Sequence, residues 1–72
     1  MNIFGENLKR IRAEKNITQL ELSELLGIGK GYIAQIETGH RTSTLKFMNK
    51  IADALNVPLK NFFEEVTDEN KF

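Results

Sequence analysis

Between Leu26 and Lys30 the chain reads Gly27-Ile28-Gly29, with an apolar helical pattern on either side. A link this short fixes the relation of the segments it joins. Glycine adopts positive φ at little cost, so Gly27 ends the preceding helix, and the next begins at once. Two helices joined so tightly cannot lie antiparallel and must cross at a steep angle. They therefore share one small core around the turn, and the rest of the chain has to complete it.

The remaining pattern is helical throughout, and no segment alternates like a strand. A first helix is expected from about Ile3 to Lys15, with Phe4, Leu8 and Ile11 forming one stripe. Asn16 suits its end, and Ile17 packs under the turn. The second helix opens with a capping box, Thr18 and Glu21, and offers Leu22, Leu25 and Leu26 as its buried face. The third carries Ile33 and Ile36 inward and stops before Gly39. Thr44 caps a fourth, whose apolar stripe is Leu45, Met48, Ile51, Ala52 and Leu55, with Phe47 on the flank. Pro58 opens a short fifth turn with Leu59, Phe62 and Phe63. The expected architecture is all-α and compact: one five-helix domain over 1–66, followed by a short polar, acidic tail over 67–72.

Composition excludes more than it assigns. With 72 residues the chain makes one domain. There is no cysteine and His40 is the only histidine, so disulfides, thiolate metal sites and a histidine metal site are not expected. No cofactor is implied. His40 reads as a surface residue rather than a pH switch. No nucleophile–base pair or glycine-rich phosphate loop is present, and an enzyme is not expected. No apolar run approaches the roughly 18 residues of a membrane span. The N-terminus lacks a signal-peptide pattern, so the cytoplasm is the expected location, as the bacterial cytosol or the host cytosol of a phage.

The net charge of zero conceals an asymmetry. Glu64, Glu65, Asp68 and Glu69 against Lys71 give residues 64–72 a net −3, leaving +3 on residues 1–63. Lys30, Arg41, Lys46 and Lys50 against Glu37 alone place +3 within residues 30–50. A local basic surface of this kind attracts phosphates.

The segment 19–38 resembles the helix-turn-helix of the Cro and phage-repressor type, found in bacterial and phage transcriptional regulators. With Gln19 as the first motif position, Leu22 falls at the fourth, Leu26 at the eighth, Gly27 at the ninth, Ile28 at the tenth, Ile33 at the fifteenth and Ile36 at the eighteenth. Those are the family's apolar and turn-glycine positions. Ser23 stands at the fifth, where the family prefers alanine of nearly the same size. The run LKRIR at 8–12, the stretch IETG at 36–39 followed by Arg41, and LKFMNKIADALNV at 45–57 look like the family's flanks. The resemblance covers about residues 4–63 and implies a lambda-repressor-like fold with the helix-turn-helix at the second and third helices. A finer likeness, in Thr44-Leu45, Ile51-Ala52 and Phe62-Phe63-Glu64, is to repressors without a second domain and to restriction–modification controller proteins.

The resemblance implies sequence-specific binding of double-stranded DNA. A helix fits the major groove, and its N-terminal outward side chains meet base edges. On the third helix those are Lys30, Gly31 and Gln35, with Tyr32 and Ala34 at the margins. Lys30 suits guanine O6 and N7, and Gln35 suits adenine bidentately. Gly31 offers no side chain, and Gly29 and Gly31 together loosen the first helical turn. Gln19, at the positive end of the second helix, suits a phosphate, as it does in the family. Arg41, Thr42, Ser43 and Lys46 resemble the family's second phosphate clamp, and Thr18 and Thr38 join the phosphate-contacting set. The family also implies a structural ion pair of Arg12 with Glu37.

A monomer of this kind reads few bases, and related repressors dimerise on two-fold symmetric operators. Phe47, Phe62, Phe63 and Val66 are the expected homodimer interface, with one of Phe62 and Phe63 reserved for the monomer core. The rival reading is an antitoxin or a protein-interaction adaptor on the same fold, with a toxin or regulatory protein as partner.

Overall fold

The computed structural model describes residues 2–65. Val66 and the acidic tail 67–72, together with the interface and tail expectations that fall on them, lie outside the described residues. The order is α1 (Ile3–Glu14), α2 (Gln19–Leu26), α3 (Lys30–Thr38), α4 (Leu45–Leu55) and a terminal 3₁₀ turn, Leu59–Phe63. The expected fifth helix is thus a 3₁₀ turn, preceded by Pro58. Among the described residues no helix is long and apolar enough to cross a membrane.

Each α-helix stops for a local reason, and α2 and α4 also start for one. Thr18 and Glu21 form both halves of the capping box, with Glu21 N–H donating to Thr18 Oγ1 at 3.0 Å and Thr18 N–H to Glu21 Oε1 at 2.8 Å. Thr44 accepts from Phe47 N–H at 3.1 Å to open α4. All four α-helices end in the same paired bonds, a residue one position past the helix, or two in α1, turning left-handed and the next N–H reaching back five residues. Asn16 (φ 58°), Gly27 (φ 72°), Gly39 (φ 86°) and Asn56 (φ 58°) take that conformation. The N–H groups of Ile17, Ile28, His40 and Val57 donate to Arg12, Ser23, Gln35 and Ala52 carbonyls at 2.9–3.0 Å. Three of these four following residues, Ile17, Ile28 and Val57, fold onto the core. The stop signal and a hydrophobic anchor therefore come together, and the inter-helix turns are fixed rather than loose.

The core gathers Phe4, Leu8 and Ile11 from α1, Leu22 from α2, Ile33 and Ile36 from α3, Ile51, Ala52 and Leu55 from α4, and Phe62. Ser23 is buried where α2 meets α3, and its hydroxyl donates to Leu20 O at 2.7 Å. The small side chain keeps the close contact, and the local bond satisfies its polar atom.

Three expectations need correction. Leu25 is 64% exposed, although it was expected on the buried face of α2. Leu45 is 63% exposed, although it was expected on the α4 stripe. Short helices packed on one side cover only a narrow stripe, and both leucines sit outside it. Phe62 has no exposed surface, and its ring stacks on Phe4 at 5.2 Å. It is core, with nothing to give to a dimer interface, and its burial stabilises the monomer by about 1.5–3 kcal/mol.

Two polar residues that the sequence did not single out fasten the chain ends. Asn2 caps α1 by accepting from Gly5 N–H at 3.2 Å, and its Nδ2 donates to Ile36 O and Glu37 O at the end of α3. The same close approach explains Gly5, where a Cβ would collide with the Ile36 carbonyl oxygen. Asn7 is fully buried and its Nδ2 donates to Phe62 O at 2.9 Å and Glu64 O at 2.7 Å, holding the segment after the 3₁₀ turn against α1.

Candidate nucleic-acid interface

The outer side of α3 follows from what its inner side buries. With Ile33 and Ile36 in the core, Lys30, Gly31 and Gln35 are exposed and Tyr32 and Ala34 are half-buried. The five expected base-facing residues thus lie on one helix, three open and two at the margin. Gly29 and Gly31 have nothing within 4 Å of where a Cβ would stand, so packing does not require glycine at either position.

Arg12 and Glu37 form the expected ion pair, Nε to Oε2 at 2.7 Å and Nη2 to Oε1 at 3.0 Å. Arg12 Nη1 also donates to Ile17 O at 2.8 Å, in the link between α1 and α2. Gln19 enters the same network, its Nε2 donating to Glu37 Oε1 at 3.0 Å. One carboxylate near the end of α3 is therefore held by α1 and by the first residue of α2. The Gln19 side chain, expected at a phosphate, is engaged internally in this structure. At this helix start the capping box already engages the Thr18 and Glu21 N–H groups, while the other leading N–H groups have no helical acceptor.

Lys30, Thr18 and Gln19 border one shallow cleft of about 340 Å³ with Arg12 and Leu20, between the starts of α2 and α3. On the far side of α3, Thr38, Arg41 and Thr42 are exposed, and Lys46 is exposed in the first turn of α4. The expected phosphate-contacting residues accordingly flank α3 on two sides. Ser43 departs from this set: it is buried, its hydroxyl has no hydrogen-bond partner among the described residues, and it is not presented to solvent. The residue just before the Thr44 cap is turned into the fold. Thr38 Oγ1 donates back to Ala34 O at 3.0 Å and lies 2.8 Å from His40 Nδ1.

Arg41 does more than sit in the loop. Its Nε donates to Gln35 Oε1 at 2.9 Å, and its guanidinium lies 4.6 Å from the centre of the Tyr32 ring. Tyr32 in turn meets Phe47 edge-on at 5.3 Å. This chain of contacts links the outer side of α3 to α4, and a spacing of six residues across a helix end gave no sign of it. Of the expected dimer residues, Phe47 is half-buried against Tyr32, and Phe63 is 47% exposed while its ring stays 5.7 Å from Phe4.

Comparison with known proteins agrees with this geometry. A family model described as helix-turn-helix matches residues 8–62. The uncharacterised HTH-type transcriptional regulator YqaF of Bacillus subtilis is 38% identical over 64 residues, spanning 89% of this chain and 84% of that protein. The control protein C.MunI of a Mycoplasma species is 30% identical over 67 residues, spanning 92% of this chain and 90% of that protein. The crystal structure of the restriction–modification controller protein C.AhdI from Aeromonas hydrophila has a TM-score of 0.79 and 32% identity, covering 83% of this chain and 91% of that one. The chain belongs to the helix-turn-helix family of DNA-binding transcriptional regulators, of the Cro and phage-repressor type.

Proposed function

We propose that the protein controls transcription as a homodimer, each protomer laying α3 in the major groove of a two-fold symmetric operator. The observation that carries the reading is the way α3 is held. Ile33 and Ile36 anchor its inner side, the Arg12–Glu37–Gln19 network fixes its C-terminal end, and Lys30 and Gln35 remain exposed on its outer side. A rigid helix with exposed polar groups is what base reading needs, because a loosely held helix spends binding energy on ordering. Lys30 and Gln35 meet base edges, with Gly31, Tyr32 and Ala34 beside them. Thr18, the start of α2, Thr38, Arg41, Thr42 and Lys46 contact the backbone phosphates. The local excess of positive charge over residues 30–50 supports the phosphate contacts. Exposed Phe63 and Leu45 supply apolar surface for a second copy. The likeness to controller and regulator proteins favours this reading, with the cytosol as the place of action.

The test is selection from a pool of random DNA duplexes at about 0.15 M salt. A two-fold symmetric motif with half-sites about 34 Å apart is the expected result. Weak retention that vanishes as salt rises, without any motif, would leave phosphate contacts alone and favour an adaptor or a partner-dependent antitoxin.

A further inference from the structure

The carboxamide of Gln35 does not face outward freely. Its Oε1 accepts from Arg41 Nε at 2.9 Å. Arginine carries donors and no acceptor, so this contact admits only one orientation of the amide, with oxygen toward Arg41 and the NH₂ group away from it. Arg41 is itself held, its guanidinium over the Tyr32 ring and that ring against Phe47 of α4. The backbone agrees, since the N–H groups of His40 and Arg41 both donate to the Gln35 carbonyl, at 2.9 and 3.2 Å. Nε is the only Arg41 side-chain atom that donates a hydrogen bond among the described residues, which leaves its terminal N–H groups open beside the Gln35 amide.

We infer that Arg41 is a specificity-determining residue, which turns Gln35 into a donor-presenting side chain that selects guanine over adenine. The inference rests on the proposed reading of DNA by α3. An unrestrained glutamine matches adenine bidentately, accepting from N6 and donating to N7. Here the Gln35 oxygen is turned toward Arg41 and held there, so what the amide turns toward the base is its NH₂. Guanine offers two acceptors, N7 and O6, to such a surface. Adenine places its N6 amino group there, and donor would meet donor with both desolvated and unpaired. Arg41 acts on the base through Gln35, as a positioning residue whose effect is local to one base pair. An arginine that only touched phosphate would strengthen binding to all sequences alike.

The experiment is the same duplex selection run on the wild-type chain, Arg41→Met and Gln35→Ala. Methionine keeps an apolar stem over Tyr32 and removes the donor, and Arg41 is exposed, so the core is untouched. The expected wild-type motif has guanine at one position that Gln35→Ala flattens. Arg41→Met should move that same position toward adenine, changing the guanine-to-adenine ratio by roughly tenfold, with the rest of the motif unchanged. Adenine in the wild-type motif at that position overturns the inference. So does an Arg41→Met motif identical to the wild type, with weaker binding and a shallower salt dependence, which would make Arg41 a phosphate contact only. A wild-type motif that Gln35→Ala leaves intact overturns Gln35 as a base reader, and the inference with it, while DNA binding stands. Absence of any motif overturns the proposed function itself.

Discussion

The Arg12 guanidinium grips the Glu37 carboxylate through two parallel hydrogen bonds, at 2.7 and 3.0 Å, across 25 residues of sequence. The Glu37 side chain is 3% exposed and that of Arg12 13%, so the charges are mostly withdrawn from water. Such a pair adds little net stability over apolar residues of the same shape, yet losing one partner strands a buried charge. Arg12→Met is therefore expected to cost about 3 kcal/mol, a large part of what a domain of this size has in total. The double variant Arg12→Met/Glu37→Met should recover most of it. Urea unfolding followed by circular dichroism measures both. A single-variant cost well under 1 kcal/mol would mean the pair does not hold α3 in place.

Asn7 bears the same kind of load at the other end of the molecule. Its one NH₂ group donates to the carbonyls of Ile3, Phe62 and Glu64, and its Oδ1 accepts from Arg10 Nη2 at 2.8 Å. Asn7→Ala leaves the buried Phe62 carbonyl without that donor, and a loss of about 2–3 kcal/mol is expected. Because the bond holds the 3₁₀ turn, amide protons of residues 61–64 should lose their protection from hydrogen exchange before those of α3. Equal loss of protection across the chain would show that the 3₁₀ turn does not open separately.

What could be read from the sequence divides along the range of the interaction. The Thr18–Glu21 box and the stops at Asn16, Gly27 and Gly39 depend on residues within one helical turn, and each is where the pattern put it. Arg12 and Glu37 were legible through resemblance alone, since nothing local in either residue points to the other. Asn2 and Gly5 were not legible, because what they answer to is the end of α3, which lies 34 residues from Asn2 along the chain. Phe62 and Phe63 are adjacent in a 3₁₀ turn and both rings meet Phe4, so only the packing of the whole fold decides which of the two is buried. Leu25 and Leu45 fit an apolar periodicity, but periodicity does not tell which edge of a stripe the neighbouring helix covers. The Gln35–Arg41 contact crosses a helix end where no spacing rule applies.

The contrast between the two adjacent phenylalanines gives a test of dimerisation. Phe62 is fully buried, and Phe62→Ala should cost about 3–5 kcal/mol and unfold the monomer. Phe63 is 47% exposed, so Phe63→Asp should leave the fold in place while removing apolar surface from the proposed interface. Sedimentation of the wild type at tens of micromolar should report a dimer, and of Phe63→Asp a monomer, with operator affinity falling in parallel. An unchanged dimer would move the interface away from this face.

Gly31 tests whether α3 approaches DNA at the backbone. A Cβ at Gly31 meets nothing within 4 Å in the protein, whereas one at Gly5 collides with the Ile36 carbonyl. The two Gly→Ala substitutions should thus have opposite effects on stability. Gly5→Ala forces α1 away from the end of α3 and is expected to destabilise by about 1–3 kcal/mol. Gly31→Ala removes backbone entropy from the unfolded chain and is expected to stabilise by about 0.5–1 kcal/mol. If the groove floor lies against this turn of α3, the added methyl group must displace it, and Gly31→Ala should bind operator DNA more weakly while melting at a higher temperature. Both quantities can be read from one preparation, by thermal unfolding and by titration of a labelled duplex. Higher stability with unchanged affinity would show that the methyl group has room in the complex, and that Gly31 neither contacts nor closely approaches the bases.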